Sequence, residues 1–237
     1  MGKTRTALLG TAMGLALFWG CATAPAPEKK VEDRLDLKEQ RAIDRLAGKI
    51  ARERSEDFFL TGMQEFNKGD FKDAWKAFTR AVEEDPKDYR SYFFLGQTHE
   101  KMRDLEQAVN AYEKALEVRS HYLPAHEALG IVYYQQKNFS KAERHLREAE
   151  KLGSKSAEVF YYLGEIEQRK DDCEKAVAAY EQALKLNPDY VAAQNGLRVA
   201  QFTCRQKQKQ EESKTQEAPS PQAPAPSQKS PKTAPKR

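Results

Sequence analysis

Three columns of small residues recur at a strict interval of 34 along the middle of this chain. Gly62, Gly96, Gly130 and Gly164 form the first; Ala74, Ala108, Ala142 and Ala176 follow twelve residues later, and Ala81, Ala115, Ala149 and Ala183 seven further on. An unbroken period of this length marks stacked supersecondary units, none of which can bury its apolar face alone. Between the small columns run large ones: Phe58, Tyr92, His126 and Phe160; Thr61, Leu95, Leu129 and Leu163; Phe78, Tyr112, Leu146 and Tyr180. Within a unit the large residues are three or four apart, which is helical spacing. Each unit therefore reads as two helices whose axes approach at Gly or Ala, leaving room for the larger side chains beside them. Turn signals separate the helices at Lys68-Gly69-Asp70, Met102-Arg103-Asp104, Lys137-Asn138 and Lys170-Asp171-Asp172, and Pro86 and Pro188 close the first and fourth units.

The order aromatic, Leu-Gly, Ala, aromatic, Ala and Pro over residues 55–190 resembles the tetratricopeptide repeat family. Departures are Ser120 and Ser154 in place of proline, Thr61 in place of Leu, and Glu65 and Glu167 in place of tyrosine. The resemblance implies an all-α, right-handed helical-hairpin solenoid of four tandem units, 55–88, 89–122, 123–156 and 157–190. Residues 191–204, with Leu197, Ala200 and Phe202, continue the phase and are expected to be a single capping helix. Residues 31–54 carry Leu35, Ile43, Leu46, Ala47 and Ile50 in a loose helical period and are expected to form a separate N-terminal helix covering the first unit, with a coiled-coil or free helix as the alternative.

The ends of the chain differ from its middle. Lys3 and Arg5 precede an uncharged, mostly apolar run from Ala7 to Phe18, a signal-peptide layout too short for a membrane span of roughly 20 residues. The following Gly20-Cys21 resembles the lipobox of bacterial lipoproteins, which implies removal of residues 1–20 and acylation of Cys21. An ordinary secretory signal cleaved after Ala22 or Ala24 is the alternative. Residues 21–30, with Pro25 and Pro27, read as a tether, and Ala22 after the cysteine implies, by likeness to enteric lipoproteins, the periplasmic face of the outer membrane. At the other end, residues 205–237 hold eight basic and three acidic side chains and six of the eleven prolines, a composition expected to remain unfolded. Residues 21–204 hold 30 basic and 33 acidic groups. The near-neutral body lacks the basic stripe of a nucleic-acid binder.

Enzymatic chemistry finds little support. His99, His121, His126 and His145 fall at different repeat positions without metal-ligand spacing. The glycines come one per repeat and make no phosphate-binding loop. No nucleophile, base and acid recur together. No metal, cofactor or small-molecule substrate is expected, and the chain is expected not to be an enzyme. Cys173 opens the second helix of the fourth unit and Cys204 ends the capping helix. An antiparallel pairing of those helices would let the two cysteines bridge in an oxidising compartment; the alternative is a buried Cys173 and a free Cys204.

The repeat resemblance also implies where a partner binds. In that family the first helices of successive units line a concave groove, and the matching positions here are Phe59, Met63, Phe66 and Asn67; Phe93, Gln97, Glu100 and Lys101; Glu127, Ile131, Tyr134 and Gln135; Tyr161, Glu165, Gln168 and Arg169. Phe59 and Met63 stand where a carboxylate clamp would carry Lys and Asn, so the groove suits an amphipathic helix or an extended apolar segment. The alternative is that Phe59, Phe93 and Tyr161 are covered by the N-terminal helix. Lipobox plus tandem repeats resembles the pilotin family of type IV pilus and secretin assembly. This implies a membrane-anchored protein-binding adaptor of the cell envelope, and the alternative role is a tether whose basic tail touches cell wall or membrane.

Overall fold

The computed structural model describes residues 36–216. Nine α-helices and no strand occur among them: α1 (Leu37–Lys68), α2 (Phe71–Glu84), α3 (Tyr89–Lys101), α4 (Leu105–Val118), α5 (Leu123–Gln135), α6 (Phe139–Lys151), α7 (Ala157–Arg169), α8 (Cys173–Leu186) and α9 (Val191–Gln216). The chain divides into two compact units, Met1–Asp44 and Arg45–Arg237, and the second holds all four repeats. The expected signal peptide (1–20), lipid attachment at Cys21 and tether (21–30) fall outside the described residues.

Neighbouring helices pack as successive hairpins, α3 on α4, α5 on α6 and α7 on α8, and α7 also touches α5 and α9. This is an all-α solenoid of four repeats. The glycine column shows why it closes. A Cβ on Gly62, Gly96, Gly130 or Gly164 would sit 2.5–2.7 Å from Phe78, Tyr112, Leu146 or Tyr180, closer than carbon atoms approach. Those four large residues, and all eight alanines of the two repeated columns, are fully buried. Missing side chains on one helix are thus the space into which the next inserts its ring or branched side chain.

Each intra-repeat turn has the same construction. One residue takes a left-handed backbone, Gly69 (φ +87°), Arg103 (+63°), Lys137 (+61°) and Asp171 (+63°). The next N–H then reaches back five residues, from Asp70, Asp104, Asn138 and Asp172 to the carbonyls of Glu65, His99, Tyr133 and Glu167 at 2.9–3.0 Å. This closes the first helix with a Schellman motif. The same residue starts the second helix: side chains of Asp104, Asn138 and Asp172 accept from the N–H groups of Gln107, Lys141 and Lys175. Asp70 makes no such cap bond.

Where the family's proline is absent, polar contacts take its place. Ser154 donates to Glu127 and accepts from the N–H of Ser156 at 3.1 Å. The carbonyl of Ser120 accepts from His126 Nε2 at 2.9 Å. Glu167, standing in the tyrosine column, is buried but accepts a hydrogen bond from Arg147 and lies 3.7 Å from Lys170, which satisfies its charge. Thr61 is exposed, because the first repeat has no earlier one to pack against at that position.

Two expected boundaries are corrected. Residues 31–54 do not form a separate helix: from Leu37 onward they run without interruption into the first repeat as α1. Gly48 costs roughly 1 kcal/mol in a helix interior, but strong helix formers on both sides carry the helix through it. Leu46 and Ile50 are exposed, so this stretch does not cover the repeat. At the other end the helix does not stop at residue 204. Arg205 to Gln216 contain no Gly or Pro and are rich in Gln, Lys and Glu, which favour helix, and α9 continues to Gln216. Lys207 fastens this extension by donating to the carbonyl of Asp171 and by an ion pair of 2.7 Å with its carboxylate. One turn away, Cys173 and Cys204 are joined in a disulfide with a Cα–Cα distance of 5.4 Å.

Candidate functional site

The predicted groove positions do not behave alike. Phe59 and Phe93 are 9% and 7% exposed, core residues and not surface anchors. Phe59 meets the rings of Phe78 and Phe94 at 5.9 and 5.5 Å and lies under the guanidinium of Arg90 at 4.8 Å. Phe93 is walled in by Phe94, Tyr112 and Tyr122. The cause is Phe94, one step along α3, whose ring fills the space between them. It is therefore Phe94 and Arg90, and not the N-terminal turns of α1, that lie on Phe59. Met63 and Phe66 pack half-buried against the same cluster, and Asn67 and Lys101 are exposed.

Gln97, Ile131 and Glu127 are half-buried, the last held by Ser154. Glu100 accepts from the Tyr112 hydroxyl, and burial holds its carboxyl above the usual range.

The third and fourth repeats bring a different set together. Tyr134 lies 4.8 Å from Tyr162; Tyr161 lies 5.1 Å from Tyr162, 5.2 Å from Tyr190 and 6.0 Å from Tyr180. Glu165 sits at the centre of this cluster. Its carboxylate accepts from the hydroxyls of Tyr134 at 3.0 Å and Tyr180 at 2.8 Å. Arg169, exposed at the end of α7, spreads its guanidinium over Phe139 at 4.5 Å and Tyr134 at 5.9 Å. Beside them lies a notch of about 400 Å³ lined by Tyr134, Gln135, Lys137, Phe139, Tyr162 and Arg169.

Among the described residues no hydrogen bond engages the hydroxyls of Tyr161, Tyr162 or Tyr190, and all three side chains are half-exposed. Burial first, and then nearby carboxylates, raise these phenols above their ordinary range, Tyr190 to about 12. They stay protonated at neutral pH and can both donate and accept. The result is a rigid surface of flat rings with free hydroxyls and a fixed carboxylate. Such a surface offers flat rings for stacking and hydroxyls that can donate to or accept from a polar group.

Tyr134, Tyr161, Glu165 and Arg169 of this cluster are among the expected groove positions, whereas Tyr162, Tyr190 and Phe139 are not. The run Phe160-Tyr161-Tyr162 was the available signal: a third aromatic in succession on a helix cannot share the buried stripe of the first.

A second polar cluster lies buried between α5 and α6. His126 Nε2 donates to the Ser120 carbonyl, so Nδ1 of the neutral ring is an acceptor; His145 Nδ1 donates to it across 3.1 Å. His145 Nε2 in turn accepts from Arg144 at 3.1 Å, and Tyr133 stacks on the ring. Every ring nitrogen of the pair is used. Burial, then the positive charge of Arg144, lowers the His145 pKa to about 4. This relay ties a turn to a helix and offers no free ligand atom. Among the described residues no group of three or more His, Cys, Asp or Glu is placed to hold a metal ion, and no helix is long and apolar enough to cross a membrane.

Helical hairpins repeating every 34 residues, closed by a Schellman turn and packed large-into-glycine, define a repeat scaffold. The tetratricopeptide repeat pattern matches residues 59–121, 95–157, 127–190 and 161–203, and the chain belongs to that family. The Protein CTR9 homolog of Arabidopsis thaliana is 33% identical over 117 residues, 48% of this chain but 11% of that protein, so the likeness concerns the repeats alone. Among solved structures, the MamA protein superposes with a TM-score of 0.57 at 22% identity, covering 71% of this chain and 99% of that one. Pseudomonas aeruginosa pilF gives 0.57 at 22% identity, with 66% and 71% covered. At these identities the likeness is one of fold.

Proposed function

We propose that this protein is a non-catalytic adaptor of the bacterial cell envelope, anchored to a membrane through acylated Cys21, that captures a segment of a partner protein on the face formed by α5, α7 and the start of α9. Tetratricopeptide proteins serve as protein-interaction scaffolds, and the observation that carries the reading here is the cluster of half-exposed tyrosines around Glu165. The lipobox-like Gly20-Cys21 supports the anchor. A repeat lipoprotein in an envelope resembles the pilotins, and on that resemblance the process served is assembly of a pilus or secretin.

The test is in-cell photo-crosslinking from position 162 followed by mass spectrometry, with a chain that keeps the crosslinker at 162 and carries Tyr161→Ser and Tyr190→Ser as control. An envelope protein captured by the first and lost, by at least tenfold, in the control is the expected result. Equal capture by both sinks the binding face. Replacing Cys21 with Ser should move the protein from the membrane to the soluble periplasmic fraction, and unchanged retention overturns the anchor.

A further inference from the structure

The two ends of the tyrosine face carry opposite charge. Glu158 is exposed at the start of α7, and after burial its charge is the main cause that raises the Tyr162 phenol. Arg169 ends the same helix, about 16 Å away at 1.5 Å per residue. There it shares the notch of about 400 Å³ with a second cation, Lys137, and with the rings of Tyr134, Phe139 and Tyr162.

Both cations of the notch are uncompensated, because the acids around them are engaged elsewhere. Glu143 and Glu167 pair with Lys170. Glu165 attracts Arg169 from behind Tyr134, but one of its oxygens accepts from the Tyr134 hydroxyl and the other from that of Tyr180. Among the described residues no carboxylate lies within ion-pair distance of Lys137 or Arg169.

Both cations are also placed. The Arg169 guanidinium stands 4.5 Å from the Phe139 ring and 5.9 Å from that of Tyr134. A guanidinium held on aromatic rings loses little freedom on taking a ligand, and its forked N–H groups match both oxygens of a carboxylate. Lys137 rises from a fixed turn, in which its own N–H and that of Asn138 donate at 2.9 Å to the carbonyls of Tyr134 and Tyr133. The notch itself is small, near the lower end of the roughly 300–1,000 Å³ typical of small-molecule sites. From it the rings lead on, Tyr162 to Tyr161 at 5.1 Å and Tyr161 to Tyr190 at 5.2 Å, so a ligand that fills it continues along the surface.

We infer that the notch takes an aspartate or glutamate side chain with an apolar residue beside it, within a partner segment that runs on over Tyr161 toward Tyr190. The carboxylate meets Arg169 and Lys137, and its apolar neighbour packs on Phe139 and Tyr162. The inference rests on reading this face as a binding surface and gives that surface a chemical preference. The same two cations exclude lysine and arginine from the notch; a basic residue of the partner finds its carboxylate at Glu158, at the other end of α7.

Selection of random N-acetylated, C-amidated octapeptides on the purified full chain, with the bound peptides sequenced by mass spectrometry, tests this. The expected result is an at least fivefold enrichment of Asp or Glu directly beside an aromatic or branched apolar residue, weakening as salt is raised because the ion pairs are exposed. A Lys137→Gln, Arg169→Gln chain, altered only at exposed positions and checked by circular dichroism, should lose the enrichment of acids. A Lys137→Glu, Arg169→Glu chain should select Lys or Arg instead. Acid enrichment that survives the Gln substitutions, apolar enrichment without acids, or no enrichment overturns the inference. So does binding only by a parallel library with free C-termini, which makes the ligand a chain end. A dimer seen by light scattering and dissolved by the Gln substitutions also overturns it, since a second copy then fills the notch. If position 162 captures a partner while the peptides show no acid preference, the binding face stands and only this chemistry falls; if position 162 captures nothing, the face itself falls.

Discussion

The first-helix face of repeats one and two and that of repeats three and four use equivalent positions for opposite ends. In the former, phenylalanines dominate: Phe59 and Phe93 are buried, half-buried Phe66 and Phe94 pack around them, and Arg90 lies over Phe59. In the latter, Tyr134, Tyr161 and Tyr162 make ring contacts at similar distances but remain at the surface around Glu165. The hydroxyl accounts for the difference. A phenylalanine gains most by full burial, whereas a tyrosine buried without a partner for its O–H loses about 1–3 kcal/mol or more, so it stays where water or a ligand can reach it. One positional frame therefore supplies core at one end and a wet surface at the other.

The largest effect expected from this contrast is Phe93→Ala, which removes a buried ring and should cost about 3–5 kcal/mol. Tyr161→Ala, removing a half-exposed ring at the equivalent position, should cost less than half as much. Urea unfolding followed by far-UV circular dichroism compares them, and equal losses would abolish the distinction between the two ends.

The tyrosine end has a fastening that the phenylalanine end lacks. Cys173 and Cys204 close 31 residues of chain, worth about 3–4 kcal/mol in the chain-entropy model. Reduction should destabilise the α7 to α9 end while leaving the Phe59 cluster at its original unfolding midpoint. Thiol titration of denatured, unreduced protein checks the bond itself: two reactive thiols from these positions would refute it.

Between the two ends lies the histidine relay, which predicts acid sensitivity there. His145 has its folded pKa depressed, from 6.5 to about 4. Its contribution is fully present above pH 6.5 and is lost as pH falls toward 4, because the unfolded chain binds the proton first. A His145→Phe chain, with the pair removed, should show a shallower fall in thermal midpoint over that window. Parallel curves for the two chains would place the acid sensitivity elsewhere.

The smallest effect concerns the turns. Gly69 takes the left-handed backbone without penalty, while Lys137 takes it with a side chain. Lys137→Gly should stabilise by about 0.5–1 kcal/mol, the relief of a left-handed Cβ contact less the added chain entropy of glycine. Gly69→Ala should do the reverse, and a loss from Lys137→Gly in thermal melts would show that its side chain matters more than its backbone.

Much of the architecture is legible without coordinates. The repeat number and the partners of the small columns follow from spacing, because a strict period forces equivalent packing. The approach of Cys173 to Cys204 follows from antiparallel helices alone. Readings failed where periodicity gives no instruction. Residues 31–54 read as a separate helix, yet from Leu37 the helix runs on into the first repeat because propensity carries it past Gly48; the basic composition after Cys204 reads as unfolded, yet twelve residues of it are helix held by Lys207.

The chain's own order of residues determined that it would be a stack of helical hairpins, because glycine and alanine in fixed phase admit a large neighbouring side chain only in that arrangement. It also determined which positions of each first helix would share one face. Which of those positions are core and which are surface was decided only in three dimensions. Phe93 and Tyr161 occupy the same position in first helices two repeats apart. Phe93 is buried among Phe94, Tyr112 and Tyr122, while Tyr161 stays half-exposed beside Tyr162, Tyr180 and Tyr190. Burial depends on the side chains that neighbouring repeats bring to the same spot, and that sum does not exist until the repeats are stacked.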